Sequence, residues 1–343
     1  MPTAERTTED LGDESDLYRV LWFLYSIIGS YLWLLPICLG VPGNIISIFV
    51  ANRRQNRRLS PCIYMSAMAI TDTLLLLQLG WYYPFTSWEL GARVSLQREF
   101  IFKFVWFMVF NCGMLSGLFL AEMSIDRLIA VRFPMTAPSI CTTSRAKKTV
   151  VISAMIITVL NSHIFFVYSY VKDQNTGVEV LLVTAANPVI EILASGFQMV
   201  IGSFLPFLVI FGSNVVIIIT VKTAARKRLK MEASQCQEKR NETQYLTRML
   251  IFVSIAYVVT SMPFRMYYLI IDVPEIHDMY NMDVPYWNIC YNVEESFFFL
   301  IWLFNFAINF YLYCVGGGQK YRNDTVKVIT SIRTLWKRKG HYQ

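Results

Sequence analysis

Seven runs of mostly apolar residues, each longer than the eighteen or so that mark a membrane helix, divide this chain and decide what it can fold into. They lie at roughly Leu21–Ala51, Cys62–Trp88, Phe100–Ile125, Val150–Val171, Val189–Val221, Met249–Ile271 and Tyr286–Val315. A helix rises about 1.5 Å per residue, so about twenty residues cross a hydrocarbon core about 30 Å thick. The expected fold is an all-α membrane protein, a seven-transmembrane helix bundle. Composition agrees, because 343 residues that are 55% hydrophobic and only 16% charged are too apolar for a soluble domain. The stretch before Leu21 is polar and acidic, unlike a cleaved signal peptide, so the first span is expected to direct its own insertion.

Basic residues favour the cytoplasmic side of short loops. Most of the 31 lysines and arginines fall in the first and third connections, in Lys222–Arg248, and from Lys320 onward. Acidic residues cluster before the first span and in the alternate loops. The expected protein sits in the plasma membrane, with residues 1–20 as an extracellular tail, 21–315 as the bundle, and 316–343 as an amphipathic helix and short cytoplasmic tail. The net charge of +7 then belongs to a surface facing anionic lipid and implies no nucleic acid. Of the seven cysteines only Cys290 lies near the outer face, so no extracellular disulfide is expected.

An ionised side chain near the bilayer centre costs about 2.5–3.5 kcal/mol on insertion scales, so each needs a reason to be there. Asp72 sits roughly 18 Å into the second span, counted from Ser60 at the helical rise. Asn44, Ser116, Asn305 and Asn309 are the polar groups that could meet it. They read either as hydrogen-bonded glue between helices or as a hydrated cation site. Asp126 and Arg127 fall at the inner end of the third span, where an acid beside an arginine can hold it in one arrangement and release it in another.

These features together resemble the rhodopsin-like (class A) G protein-coupled receptors. The resemblance covers about Leu21 to Trp336 and rests on six motifs in register: "GVPGN" ending at Asn44, "MAITD" ending at Asp72, "SIDRLIAVRFP" with Asp126 and Arg127, Pro206, Pro263, and "NFYLY" from Asn309 to Tyr313. It implies a receptor that binds a ligand from outside and activates a heterotrimeric G protein inside. Arg127 would contact the G protein when the sixth helix swings outward about Pro263, and Tyr313 would swing into the core. Asp72, Ser116, Asn305 and Asn309 would form a sodium pocket, with Na+ held chiefly by Asp72 and Ser116 as an allosteric ion; no other cofactor is implied.

Departures from the pattern are specific. Leu128 follows the Asp-Arg pair where a tyrosine is usual, Ser261 replaces the aromatic trigger of the sixth span, and Asn214 replaces a fifth-span tyrosine. Phe102 stands at the usual disulfide cysteine, and Thr243, next to Glu242, at the usual acidic latch for Arg127. Phe310 replaces a proline, which is expected to straighten the seventh helix. Weaker restraints on the resting state imply raised ligand-free signalling.

No lysine lies between Asn288 and Val315, which excludes a retinal Schiff base. Val109 stands where amine receptors carry an aspartate. The outer half offers Gln78, Trp81, Lys103, Trp106, Phe110, Gln198, Phe264, Arg265, Tyr268, Glu295, Phe299 and Trp302. Such a lining suits an aromatic or amidated peptide, a neuropeptide or peptide hormone, with Arg265 taking a carboxylate or carbonyl. A non-peptide small molecule or chemosensory ligand is the alternative. For Arg265, an internal ion pair with Glu294 or Glu295 weighs equally with ligand contact.

After Gly316, Gly317 and Gly318, the residues Val326, Val328, Ile329, Ile332, Leu335 and Trp336 alternate with Lys and Arg, as in an amphipathic helix lying on lipid. Thr325, Thr330, Ser331 and Thr334 offer few phosphorylation sites, which leaves arrestin an open expectation. A transporter or channel is the competing class, but only Asp72 and Glu122 lie deep and no inverted repeat is visible. An enzyme is not expected, with three His and no nucleophile motif.

Overall fold

The computed structural model describes residues 8–87, 95–167, 169–172, 179–182, 196–229, 237–271 and 285–339. Among the described residues six helices are long and apolar enough to cross a membrane: Leu34–Ala51, Ser60–Gly80, Lys103–Arg132, Thr143–Phe166, Gly196–Ala224 and Leu246–Tyr268. A bent pair, Ile289–Ala307 with Asn309–Gly316, makes the seventh. The fold is therefore an all-α seven-helix bundle. Lipid-facing surface is easy to find: Val151, Met155 and Val159 on the fourth span and Leu208, Phe211 and Ile219 on the fifth are all exposed.

Two expected boundaries move. Helix begins at Thr8 and runs to Ile27, and a π-helical turn over Ile28–Leu32 leads into the first span. Position 20 is thus no boundary of secondary structure. The fourth helix does not reach Val171. It runs Thr143–Asn161, turns at Ser162 and His163, resumes at Ile164–Val167, and gives way to a strand, Ser169–Lys172, paired antiparallel with Glu179–Leu182. The apolar run continues through Tyr170 and Val171, but those residue types also favour a strand, which hydropathy alone does not distinguish.

Inside the bundle the apolar packing forms two clusters. One toward the Arg127 end gathers Met65, Met68, Phe119, Met123, Leu250, Val253, Tyr257 and Tyr313. The other, toward the opposite end, gathers Trp33, Leu75, Leu79, Val105, Val109, Phe264, Trp302 and Phe306. Asp72 falls between the two sets on the second span, so the deep polar groups occupy the level where the clusters meet.

The seventh span corrects an expectation. Phe310 in place of proline was expected to leave it straight, yet its two halves meet at Ile308 with a bend of 52°. Asn44 supplies the cause. Its Nδ2 donates to the Phe306 carbonyl at 2.9 Å, the acceptor that an unbroken helix would offer to the Phe310 amide. A side chain inserted into the backbone ladder kinks a helix as a proline does. The first span can come this near because Gly40 and Gly43 line its face: a Cβ on Gly40 would stand 2.8 Å from the Ala307 Cα, and one on Gly43 3.0 Å from the Phe310 Cβ.

Past the bundle, Gly318 takes φ 60° and redirects the chain into a helix over Gly318–Lys339. A left-handed residue is inexpensive only for glycine. Tyr321, Asp324, Thr325 and Val328 form the buried face of this helix, while Val326, Ile329 and Ile332 remain exposed beside its basic residues. Asp324 is the anchor. It accepts from Arg53 at 2.9 Å and from Asn56 at 3.1 Å, both in the first connection. Asp324→Ala takes the carboxylate from Arg53 and Asn56, leaving them only the Asp324 and Val50 main-chain carbonyls, and is expected to cost about 1–3 kcal/mol. Hydrogen exchange over residues 318–334 should quicken in that variant; unchanged protection would show that the carboxylate does not hold the helix.

Candidate functional site

At one end of the bundle the third helix carries Asp126 and Arg127 in its last two turns. Arg127 Nη2 donates to Asp126 Oδ2 at 2.7 Å, and the Ser60 hydroxyl donates to the same oxygen at 2.8 Å. Both members of the pair are buried. Arg127 Nε has no hydrogen-bond partner among the described residues, so the guanidinium is held by part of its donor set only. Cys141 covers the pair from the following connection, its thiol donating to the Asp126 carbonyl at 3.3 Å. Burial, and then the Asp126 charge, push this thiol up to about 11, so it stays protonated at neutral pH.

The sixth helix reaches the same end. Pro263 lies inside the long helix Gln237–Ile271 and removes one backbone donor from it. Near the Arg127 end, Arg248 Nε donates to the Gly316 carbonyl at 2.9 Å, and a Cβ on Gly316 would stand 2.7 Å from the Met249 Cα. The sixth and seventh spans thus touch backbone to backbone. Tyr313 is buried and faces Tyr321 of the tail helix with ring centroids 5.8 Å apart. The side chains of Glu242 and Thr243 lie outside the described residues. Arg248 is not legible in the sequence, because nothing local shows that Gly316 permits this close approach.

At the middle level, Asp72 is 0% exposed. Asn309 Nδ2 donates to its Oδ2 at 2.8 Å, and Ser116 lies alongside the same carboxyl group. Asn305 Oδ1 accepts from Thr260 at 3.3 Å. Asp72 Oδ1 and Asn44 Oδ1 have no hydrogen-bond partner among the described residues. Asp72, Ser116 and Asn309 therefore come together, Asn305 is turned toward the sixth span, and two buried oxygens are left facing no donor. Glu122, deep in the third span, accepts instead from Ser153 of the fourth.

At the end opposite Arg127, six of the expected lining residues form one cluster between the sixth and seventh spans. Phe264 stacks on Trp302 at 5.2 Å, Phe299 lies 5.7 Å from Phe264 and 5.5 Å from Trp302, and the Tyr268 ring meets Phe264 edge-on at 4.9 Å. Tyr268 donates its hydroxyl to Glu295 Oε1 at 2.6 Å. The Arg265 guanidinium carbon lies 5.9 Å from the centres of both the Phe264 and Trp302 rings. Trp302 is only 5% exposed and forms the floor of the cluster, over Phe306 and against Gly113 of the third span.

The other expected residues are spread around this cluster. Gln78 donates to the Val105 carbonyl at 2.8 Å, which ties the second span to the third. Trp106 and Phe110 pack together at 5.7 Å. Lys103 and Gln198 are half-buried on the third and fifth spans. Trp81 belongs to the second-span helix, but its side chain lies outside the described residues. Among the described residues Arg265 makes no ion pair, and Glu295 instead accepts from Tyr268. No group of three or more metal-ligating side chains occurs among the described residues.

The helix bundle carries an Asp-Arg pair at one end, a buried acid at its centre and a packed aromatic cluster at the other, the layout of a class of membrane receptor. The family model for "7 transmembrane receptor (rhodopsin family)" matches residues 43–313, and the chain belongs to that family. It is similar to the FMRFamide receptor of Drosophila melanogaster, 24% identical over 236 residues, or 64% of this chain and 42% of the relative. It is also similar to growth hormone secretagogue receptor type 1 of Homo sapiens, at 22% over 233 residues, 66% of this chain and 61% of the relative. The thyrotropin-releasing hormone receptor of Gallus gallus is 28% identical over 132 residues, 37% of this chain and 31% of the relative. The chain thus spans less than two thirds of the length of each of these relatives.

Proposed function

We propose that this protein is a plasma-membrane receptor that binds an extracellular peptide, a neuropeptide or peptide hormone, and activates a heterotrimeric G protein through Asp126 and Arg127. The observation that carries this is the buried Asp126–Arg127 pair at one mouth of a rhodopsin-family bundle, with Arg127 only partly satisfied. A cation clasped by its neighbour and by Ser60 has a second arrangement available at small cost, which is what a switch requires. The relatives named as FMRFamide, growth hormone secretagogue and thyrotropin-releasing hormone receptors support a peptide as the ligand. The amino terminus then lies outside, the carboxyl terminus inside, and the exposed apolar residues of the tail helix rest on lipid. A peptide library applied to cells expressing the chain with a promiscuous G protein tests the reading. A peptide that evokes a response supports it; a conductance or uptake signal without any G protein response would favour a transporter or channel.

Na+ is proposed as the allosteric ion of the middle level. The oxygens fit, with an unpaired Asp72 carboxylate oxygen and the Ser116 hydroxyl at a fully buried carboxyl group that the Asn309 amide N–H holds in place. Sodium in place of choline is expected to raise the melting temperature of the purified receptor by about 2–4 °C for each kcal/mol of ion binding. Asp72→Asn should lose that difference. Equal melting of the wild type in both salts would remove the ion from this site.

A further inference from the structure

We infer that Arg265 seats a carboxylate of the ligand, so that the receptor reads an acidic group rather than a neutral amide at the far end of its bundle. This deepens the proposed ligand site and rests on it. Arg265 lies one turn from the end of the sixth span opposite Arg127 and is half-buried. Among the described residues it has no hydrogen-bond or ion-pair partner. A guanidinium does not discharge by losing its proton, and charges inside membrane bundles are paired or face a functional site.

Among the described residues no acid forms an ion pair with Arg265. Glu295, the acid of this cluster, holds the Tyr268 hydroxyl at 2.6 Å. What Arg265 meets instead are the faces of Phe264 and Trp302, each 5.9 Å from its carbon. Ring faces attract a cation but leave its in-plane N–H donors unused. Those donors form a planar fork that matches the two oxygens of a carboxylate, and a carbonyl would leave the net charge unbalanced. Trp302 and Phe264 stack at 19° between their planes, so the fork stands beside a flat apolar shelf. A carboxylate next to an aromatic or aliphatic side chain fits both features. It can come from a peptide's free carboxyl terminus or from an acidic side chain.

The test uses the purified full chain and its melting temperature at constant salt. The probes are N-acetyl derivatives of phenylalanine, tryptophan and leucine as free acids, the same three as primary amides, and N-acetyl-aspartate and N-acetyl-glutamate amidated at the main-chain carboxyl. Free acids should raise the melting temperature and their amides should not. A shift confined to the last two probes assigns the carboxylate to a side chain. The shift should vanish in Arg265→Gln and persist, reduced, in Arg265→Lys, which retains the charge if the first variant does not fold. Amides as effective as acids, an acid effect that survives Arg265→Gln, or no shift with any probe at millimolar concentration would each overturn the assignment. The first two outcomes leave a ligand site in the outer half. The third, combined with a peptide agonist indifferent to Arg265→Gln, puts the site elsewhere and leaves the receptor reading intact.

Discussion

Replacing Arg127 with Ala is expected to silence nucleotide exchange on the G protein and to leave ligand binding unchanged. In this arrangement Arg127 pairs with Asp126, its neighbour in sequence, so its removal strands a buried carboxylate at that end and leaves the opposite, ligand end of the bundle untouched. Ser60 still donates to Asp126 without it, and the inner apolar cluster is complete without a guanidinium. What is lost is the group available to a partner at that mouth. A hydrogen bond from a charged donor contributes about 1.5–3 kcal/mol, which corresponds to roughly ten- to a hundredfold in exchange rate. Exchange measured in membranes, alongside peptide affinity and surface expression, separates the outcomes. Undiminished exchange at equal expression would remove Arg127 from the switch.

The opposite displacement is expected of Gly316→Val. A side chain there meets the Met249 Cα at 2.7 Å and the Phe252 ring at 3.0 Å, and backbone cannot give way as the end of a flexible side chain can. The Arg127 end of the sixth span must move away from the seventh, lengthening the Arg248 bond to the Gly316 carbonyl. Overpacking of this kind costs about 1–3 kcal/mol in the closed arrangement. If the open arrangement escapes the clash, ligand-free signalling should rise about tenfold, since 1.4 kcal/mol is tenfold in an equilibrium. Adding Arg127→Ala should abolish that rise. A Gly316→Val receptor at normal surface level with basal output like wild type would show that the contact does not restrain the sixth helix. The departures at Leu128 and Ser261 argue for weak restraint, and the Gly316 variant tests whether this contact supplies it instead.

How far the sequence could be read depended on what each residue does alone. Seven apolar runs specify seven spans because the bilayer sets a length, and Asp72 stands out because its cost does not depend on its neighbours. Asp126 and Arg127 are adjacent, so their pairing was visible in the sequence. Residues whose role needs a distant partner were not legible. Asn44 appeared as a motif position, while its bond to the Phe306 carbonyl spans 262 positions. Asp324 carried no signal at all, because nothing local points to Arg53 and Asn56. Arg265 was legible as a cation out of place, but whether an acid met it required the geometry. The strand at Ser169–Lys172 was concealed by hydropathy that suits either secondary structure.

The bend of the seventh span is borrowed from the first, and this bears on how the protein is made. A peptide of residues 285–316 on its own in a detergent micelle has no Asn44 to compete for the Phe306 carbonyl, which then accepts from the Phe310 amide, and should be straight. During synthesis the first helix enters the membrane long before the seventh exists, so the receptor acquires its bent form only when the two extremities of the bundle close against each other. Ring closure of the bundle and completion of its central polar level are then a single late event.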